Sequence, residues 1–226
     1  MRKMFVFDMA GTTVDERLLV YRVLFETISR AGHGVTFEDV LRHCGGKEKR
    51  QAIRDLFEAS EISYDEATVE ALYQDFDVRL GQAYETADVG AMPYAREVFS
   101  SLRGRGIRVV LDTGYTEALA RHLIARLGWR IGEDIDLLVS ADQVPRGRPA
   151  PDMIELAMRH FGIEEASAVV KIGDTIVDMQ EGRNARCGLV VGVLTGADCR
   201  DRLLGAGADE VIDTLADLER VVFEAR

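Results

Sequence analysis

The chain has 226 residues, enough to bury a substantial core in one or two domains. Hydrophobic residues make up 47% and charged residues 30%, with only four prolines, which excludes collagen-like and disordered classes. Lys plus Arg number 28 against 39 Asp plus Glu, a net charge of −11 that argues against a general nucleic-acid binder. An anionic substrate stays open, because a metal ion and a few placed cations reverse the sign locally.

The N-terminal MRKMFVFDMAG has the charged start of a secretory signal, but its apolar stretch is only MFVF before Asp8 interrupts it. That is too short for a signal core. No apolar run approaches the roughly 18–20 residues that span a bilayer. Cys44, Cys187 and Cys199 are an odd count without a CxxC pair. This fits neither a disulfide framework nor a zinc site and favours a reducing compartment. The expectation is a cytoplasmic chain with neither membrane nor nucleic acid as partner.

Residues 4–7 form the first strand-like run. Residues 17–31, 37–43, 49–59 and 67–84 then carry apolar positions at three and four spacing, which predicts helices, with no convincing strand among them. From residue 93 a regular alternation begins. Helical segments at 95–103, 116–127, 151–161 and 176–184 separate strand-like runs at 107–111, 137–139, 168–172 and 189–194, with a weaker run at 210–212. Uniformly apolar strands alternating with helices predict a Rossmann-like parallel α/β sheet covered on both faces. The core is expected in residues 1–15 and 89–226, and residues 16–88 read as a helical cap domain inserted after strand one. Ligands of open α/β sheets bind at the carboxyl ends of the strands, so such an insertion sits over the site. GAGAD at 205–209 is a fragment of a dinucleotide fingerprint that follows a helix rather than the first strand, and no GxxxxGK[ST] loop exists.

The strand ends carry the chemistry. Asp8 ends the first strand and is followed by Ala10, Gly11, Thr12 and Thr13, placing a carboxylate beside a glycine turn with free amides. The second strand ends LDTG, which puts Thr113 and Gly114 where a hydroxyl and backbone amides bind phosphate or cap a helix. RGRPAPD follows the next strand with Arg148, either a bidentate phosphate ligand or a solvated cation. KIGDTIVDMQEG then places Asp174 at a strand end and Asp178 one helical turn on, an oxygen-ligand pair suited to Mg²⁺.

Carboxylate, hydroxyl, cation and carboxylate pair, in that order and across essentially the whole chain, resemble the four motifs of the haloacid dehalogenase superfamily of aspartate-nucleophile hydrolases. The resemblance implies a helical cap at the insertion and an aspartyl-phosphate on Asp8. It further implies Mg²⁺ held by Asp8, the Ala10 carbonyl and Asp174 with Asp178 in support, and phosphoryl binding by Thr113, Gly114 and Arg148. In relatives the cap helices can also pair two chains, so a homodimer is expected as an option.

Ala10 is the informative departure. Most phosphatases of the superfamily carry an aspartate there as acid/base, and losing such a group typically slows a reaction about 10²–10⁴-fold. Phosphonoacetaldehyde hydrolases instead carry DxAGTTVD, which DMAGTTVD resembles, and GRPxP, which matches residues 147–151. Their carbon leaving group is accepted by a cap-lysine Schiff base. CGGKEKRQAIRDL resembles their GxxK region, with Gly46 and Lys49 in register and Lys47 as second choice. Against this, the family's histidine three residues after the lysine is Ala52 here. The expectation narrowly favours P–C cleavage of a small phosphonate aldehyde. A phosphate-monoester phosphatase is the alternative, a non-catalytic binding protein on the same fold a further one, and the intact GDTIVD cluster argues against a metal-free dehalogenase.

Overall fold

The computed structural model describes residues 2–224; Met1, Ala225 and Arg226, placed in the core by the sequence reading, lie outside the described residues. Five consecutive buried residues form β1 (Met4–Asp8), and the chain then makes a two-residue strand, β2 (Val14–Asp15). Four helices follow: α1 (Leu19–Arg30), α2 (Phe37–Cys44), α3 (Lys49–Ala59) and α4 (Glu66–Thr86). The starts of α2 and α4 are written in sequence: Thr36 and Asp39 form a reciprocal capping box, and Asp65 accepts from the Thr68 amide. A second two-residue strand, β3 (Gly90–Ala91), pairs antiparallel with β2, so the four-helix segment leaves and returns side by side.

The rest alternates as expected: α5 (Ala95–Gly104), β4 (Arg108–Thr113), α6 (Glu117–Arg126), β5 (Leu137–Ser140), α7 (Asp152–Phe161) and β6 (Val169–Gly173). It closes with α8 (Ile176–Asn184), β7 (Leu189–Val193), α9 (Arg200–Gly205) and β8 (Glu210–Ile212). The six long strands form one sheet in the order β5-β4-β1-β6-β7-β8, every neighbouring pair parallel. Among the described residues no strand lies between 16 and 88. β2 and β3 have no counterpart in the sequence reading, because two residues are too few to show a period.

Side-chain alternation divides the sheet into two faces. Phe5, Phe7, Val109, Leu111, Val170 and Ile172 point to one, where Val98 and Phe99 of α5 and Leu123 of α6 cover them. Met4, Val6, Val110, Val139 and Val169 point to the other, covered by Met153 and Ile154 of α7 and Met179 of α8. On the first face Phe99 sits edge-on to Phe7 at 5.4 Å and to Trp129 at 5.2 Å. Truncating that hub, Phe99→Ala, should lower unfolding free energy by about 3–5 kcal/mol. Urea unfolding measures it, and a loss below about 1 kcal/mol would show the face can collapse around the void.

Candidate active site

β1 is the strand from which the chain runs outward both ways, to β4 and β5 on one side and β6, β7 and β8 on the other. Sites in open α/β sheets form at the carboxyl edge of such a switch point. Asp8 ends β1 and pairs in register with Asp112 near the end of β4, while Val6 is level with Lys171 of β6. The alternation that sends Met4 and Val6 to one face therefore sends Asp8, Asp112 and Lys171 to the same face, at its carboxyl end.

The result is a buried charge cluster. Arg148, 4% exposed, donates to Asp8 Oδ1 at 2.5 Å and to Asp112 Oδ1 at 2.6 Å. Lys171, fully buried, donates to both Asp112 oxygens at 2.6 and 2.7 Å and lies 2.8 Å from Glu181 Oε2. Asp178 uses Oδ2 to cap its own helix, accepting from the Thr175 amide at 3.2 Å, and turns Oδ1 to Arg148 and Lys171 at 3.1 Å each. Asp174 adds a fifth buried carboxyl, accepting from Thr12 at 2.9 Å and the Ala197 amide at 2.8 Å. Gly11, at φ +86°, admits this contact, since a Cβ there would lie 2.5 Å from Asp174 Oδ2.

Five carboxyl groups thus face two cations, and the imbalance shows in their proton affinities. Burial pushes Asp8 up to about 7, with Arg148 pulling the other way. Burial, then Asp8 and Asp178, holds Asp174 well above the ordinary carboxylate range. Burial and Asp112 do the same to Glu181. Asp112 is the exception: burial raises it, but Arg148 and Lys171 outweigh burial and hold it low. One oxygen from each of Asp8, Asp112 and Asp178 lies within 4.8 Å of the others, a group that could hold a metal ion. Asp174 lies outside that trio, yet it is the carboxyl without a cationic partner among the described residues, whereas Asp112 is saturated by two. An all-oxygen set with excess negative charge and an uncompensated Asp174 fits a hard divalent cation.

The four-helix segment reaches this edge through Gly46. Its φ is +66°, and a Cβ there would lie 2.5 Å from Thr175 Oγ1 and Val177 Cγ2, so only glycine lets the loop descend onto the sheet edge. The Gly46 amide donates to the Tyr21 hydroxyl at 3.1 Å. α3 then begins at Lys49, whose ammonium donates to the Lys47 carbonyl at 2.7 Å and lies 5.8 Å from the Tyr21 ring centre. Lys49 is 6% exposed, and burial lowers its pKa below the ordinary 10.5. Asp8, Ala10, Lys49, Thr113, Gly114 and Arg148 line one cavity of about 20 Å³, room for roughly one water. Of the candidate site residues singled out in the sequence, Asp174, Asp178 and Lys47 do not line this cavity. Lys47 turns away to an ion pair with Asp55. Ala52 is fully buried, and none of His33, His43, His122 and His160 lines this cavity.

Several residues had no role in the sequence reading. Lys171 was visible as a lone cation inside the apolar strand AVVKIG, a placement that demands buried partners, and Glu181 as the residue three after Asp178 on one helical face. A second buried network joins Glu16 Oε2 to the Tyr84 hydroxyl, and that hydroxyl to Tyr115, at 2.9 Å each. It links the two ends of the helical segment to the loop after β4, and no sequence spacing announces it.

A family model described as haloacid dehalogenase-like hydrolase matches residues 2–186. The chain belongs to this family, and it is a hydrolase. It is 31% identical over 253 residues to the phosphonoacetaldehyde hydrolase of Bacillus cereus (strain AH820), across 96% of this chain and 94% of that one. It is 32% identical over 256 residues to the phosphonoacetaldehyde hydrolase of Nitratidesulfovibrio vulgaris, across 98% and 90%. The solved phosphonoacetaldehyde hydrolase-like protein of Oleispira antarctica shares the fold at TM-score 0.85 and 28% identity, covering 99% of this chain and 92% of its own. Within the family the chain therefore falls in the phosphonatase-like branch. Family members generally use a divalent metal, and no helix among the described residues is long and apolar enough to cross a membrane.

Removing one partner of a buried ion cluster strands the others. Lys171→Met should destabilise the fold by about 3–5 kcal/mol, and pairing it with Glu181→Met should recover part of that loss. Denaturant unfolding of the two variants checks this; a double variant no more stable than the single one would show that Glu181 does not depend on Lys171.

Proposed function

We propose that the chain is a Mg²⁺-dependent phosphonatase-like hydrolase that cleaves a small phosphonate aldehyde through an aspartyl-phosphate on Asp8 and a Schiff base on Lys49. The observation that carries this reading is the burial of Lys49 in the cavity lined by Asp8, Thr113 and Arg148. A lysine whose ammonium is disfavoured by burial reaches its nucleophilic neutral form at lower pH than a solvated one. The segment 16–88 acts as the cap that delivers it.

In this reading the Lys49 amine condenses with the substrate carbonyl, releasing water and forming an iminium. The Asp8 carboxylate attacks phosphorus, the P–C bond breaks, and its electron pair moves into the iminium to give an enamine. That carbon takes a proton, water frees the carbonyl product from Lys49, and a second water frees phosphate from Asp8. Thr113, the Gly114 amide and Arg148 hold the phosphoryl oxygens. Asp8, the Ala10 carbonyl and Asp174, supported by Asp178, would hold Mg²⁺, which supplies charge neutralisation at the phosphoryl group. Because the electrons leave through carbon to nitrogen, no acid is needed at position 10, which is consistent with Ala10.

A second reading, phosphate-ester hydrolysis, is favoured by Ala52. Without an imidazole there, the ionisable side chains lining the cavity besides Asp8 and Arg148 are Lys49, Tyr21 and Tyr115. The two readings separate on phosphonoacetaldehyde with Mg²⁺. Equal release of phosphate and acetaldehyde, with a borohydride-trapped adduct on Lys49, supports P–C cleavage. Phosphate from esters alone, with no adduct, overturns it. Asp8→Asn should abolish turnover in either case, and Lys49→Ala should abolish only P–C cleavage while weakening ester hydrolysis.

The raised Asp8 carboxyl adds a pH signature. Its folded pKa, about 7, exceeds the ordinary 3.8, so without metal it disfavours the folded state increasingly as pH rises through that window. A cation bound at Asp8 must displace that proton. The rise in Tm on adding Mg²⁺ should therefore be larger at pH 8 than at pH 6, and Asp8→Asn should flatten the difference. Thermal melts at both pH values check it; equal Tm shifts at the two would take Asp8 out of the metal site.

A further inference from the structure

A second chamber of about 190 Å³ lies on the far side of Lys49. It shares Lys49, Gly114 and Tyr115 with the small cavity at Asp8, so the two are separated by the side chains that would contact the reacting carbon. Tyr73, Phe76 and Leu80 of α4 form one wall and Leu119 of α6 the other. The charges around it are mostly negative. Asp142 is fixed there by the Glu117 amide and the Ser140 hydroxyl, Glu48 caps α3, and Asp77 stands exposed. Its one arginine, Arg50, is already held bidentately by Glu70 at 2.6 and 3.0 Å and stacked 3.5 Å over the Tyr73 ring. Lys49, shared with the cavity at Asp8, is the one lining cation without a carboxylate partner among the described residues.

We infer that this chamber receives the organic part of the substrate, and that this part is an uncharged apolar or aromatic group larger than a two-carbon aldehyde. The inference rests on the reading of Asp8 and Lys49 above. Size supports it: an engineered protein cavity of about 150 Å³ suffices to bind benzene. A two-carbon aldehyde joined to Lys49 would leave most of the chamber to water against Tyr73, Phe76, Leu80 and Leu119. A carboxylate there would face Asp77, Asp142 and Glu48, while Arg50 is committed to Glu70 and Lys49 to the substrate carbonyl. The substrate class is then a phosphonoacetaldehyde with an aryl or branched alkyl substituent on the carbon that bears phosphorus. For the phenyl case, 2-oxo-1-phenylethylphosphonate and water give phenylacetaldehyde and phosphate, by the bond changes already described.

The test separates this inference from the catalytic reading by using ligands that cannot react. With Mg²⁺ present, titration calorimetry should show benzylphosphonate binding at least about tenfold tighter than methylphosphonate, and carboxymethylphosphonate weaker than either. Leu119→Trp, which fills the chamber from its partly buried side, should cut the benzyl preference below about threefold. Circular dichroism and Tm confirm that the variant is folded. Should Leu119→Trp fail to fold, the wild-type order of the three ligands still decides. Equal affinities, or tightest binding of the carboxylate, would overturn the inference. In turnover, 2-oxo-1-phenylethylphosphonate should exceed phosphonoacetaldehyde in kcat/KM by about tenfold or more. A benzyl preference without Asp8-dependent phosphate release from any phosphonate would keep the chamber and overturn the catalytic reading instead.

Discussion

Excess negative charge, buried where it cannot be solvated, governs the carboxyl edge of this sheet. Four carboxyl groups share Arg148 and Lys171 and a fifth, Asp174, has neither, and burying an ion unpaired is costly enough that the surplus must be met by protons or by an added cation. The protein divides the problem. Asp112 takes both resident cations and stays ionised, a fixed anchor that aims the Arg148 guanidinium at Asp8. Asp8 and Asp174 are left short of positive charge, so they are the groups for which an added cation would make the largest difference. Lys171 never reaches the cavity, but without it Asp112 would compete for Arg148 alone.

The same edge explains why glycine recurs there. Gly11 brings the loop after β1 against Asp174, and Gly46 brings the helical segment against Thr175, each by removing a Cβ that would overlap a side chain. Those two close approaches put Lys49 and Asp8 on one small cavity although they belong to different parts of the chain. A sidewall built from α4 and α6 then lies beyond Lys49, so one lysine lines both the small cavity at Asp8 and the larger chamber.

Most of the layered fold was legible because its signals are periodic. The helices at Lys49–Ala59 and Ile176–Asn184 and the strand at Glu210–Ile212 have the limits that the apolar spacing predicts, and other elements differ by one or two residues at their ends. The residues at strand termini were also legible, since a polar side chain ending an apolar run has few structural reasons to be there. What escaped was three-dimensional. Nothing in LDTG says that Asp112 is spent on Lys171 and Arg148 rather than on a ligand, because that depends on strand order. Glu16, Tyr84 and Tyr115 are far apart in sequence and meet only through the return of α4. Between Lys47 and Lys49 the sequence does not show which one lines the cavity; the start of α3 pairs the Lys47 ammonium with Asp55 and turns that of Lys49 to the cavity.

The pairing of β2 with β3 has a further consequence. Val14 lies opposite Ala91 and Asp15 opposite Gly90, so the ends of the helical segment are held as neighbours by a pair of strands outside the main sheet. For the six-stranded sheet the segment is topologically a long hairpin loop, and the entropy of closing a loop grows only with the logarithm of its length. Shortening, lengthening or exchanging the segment would leave the path from β1 to α5 unchanged. The carboxyl edge is tied to the register of the sheet, whereas the chamber beyond Lys49 takes only its α6 side from the sheet's connections and its α4 side from the excursion, so a change in the excursion would reshape one wall and leave the edge in place.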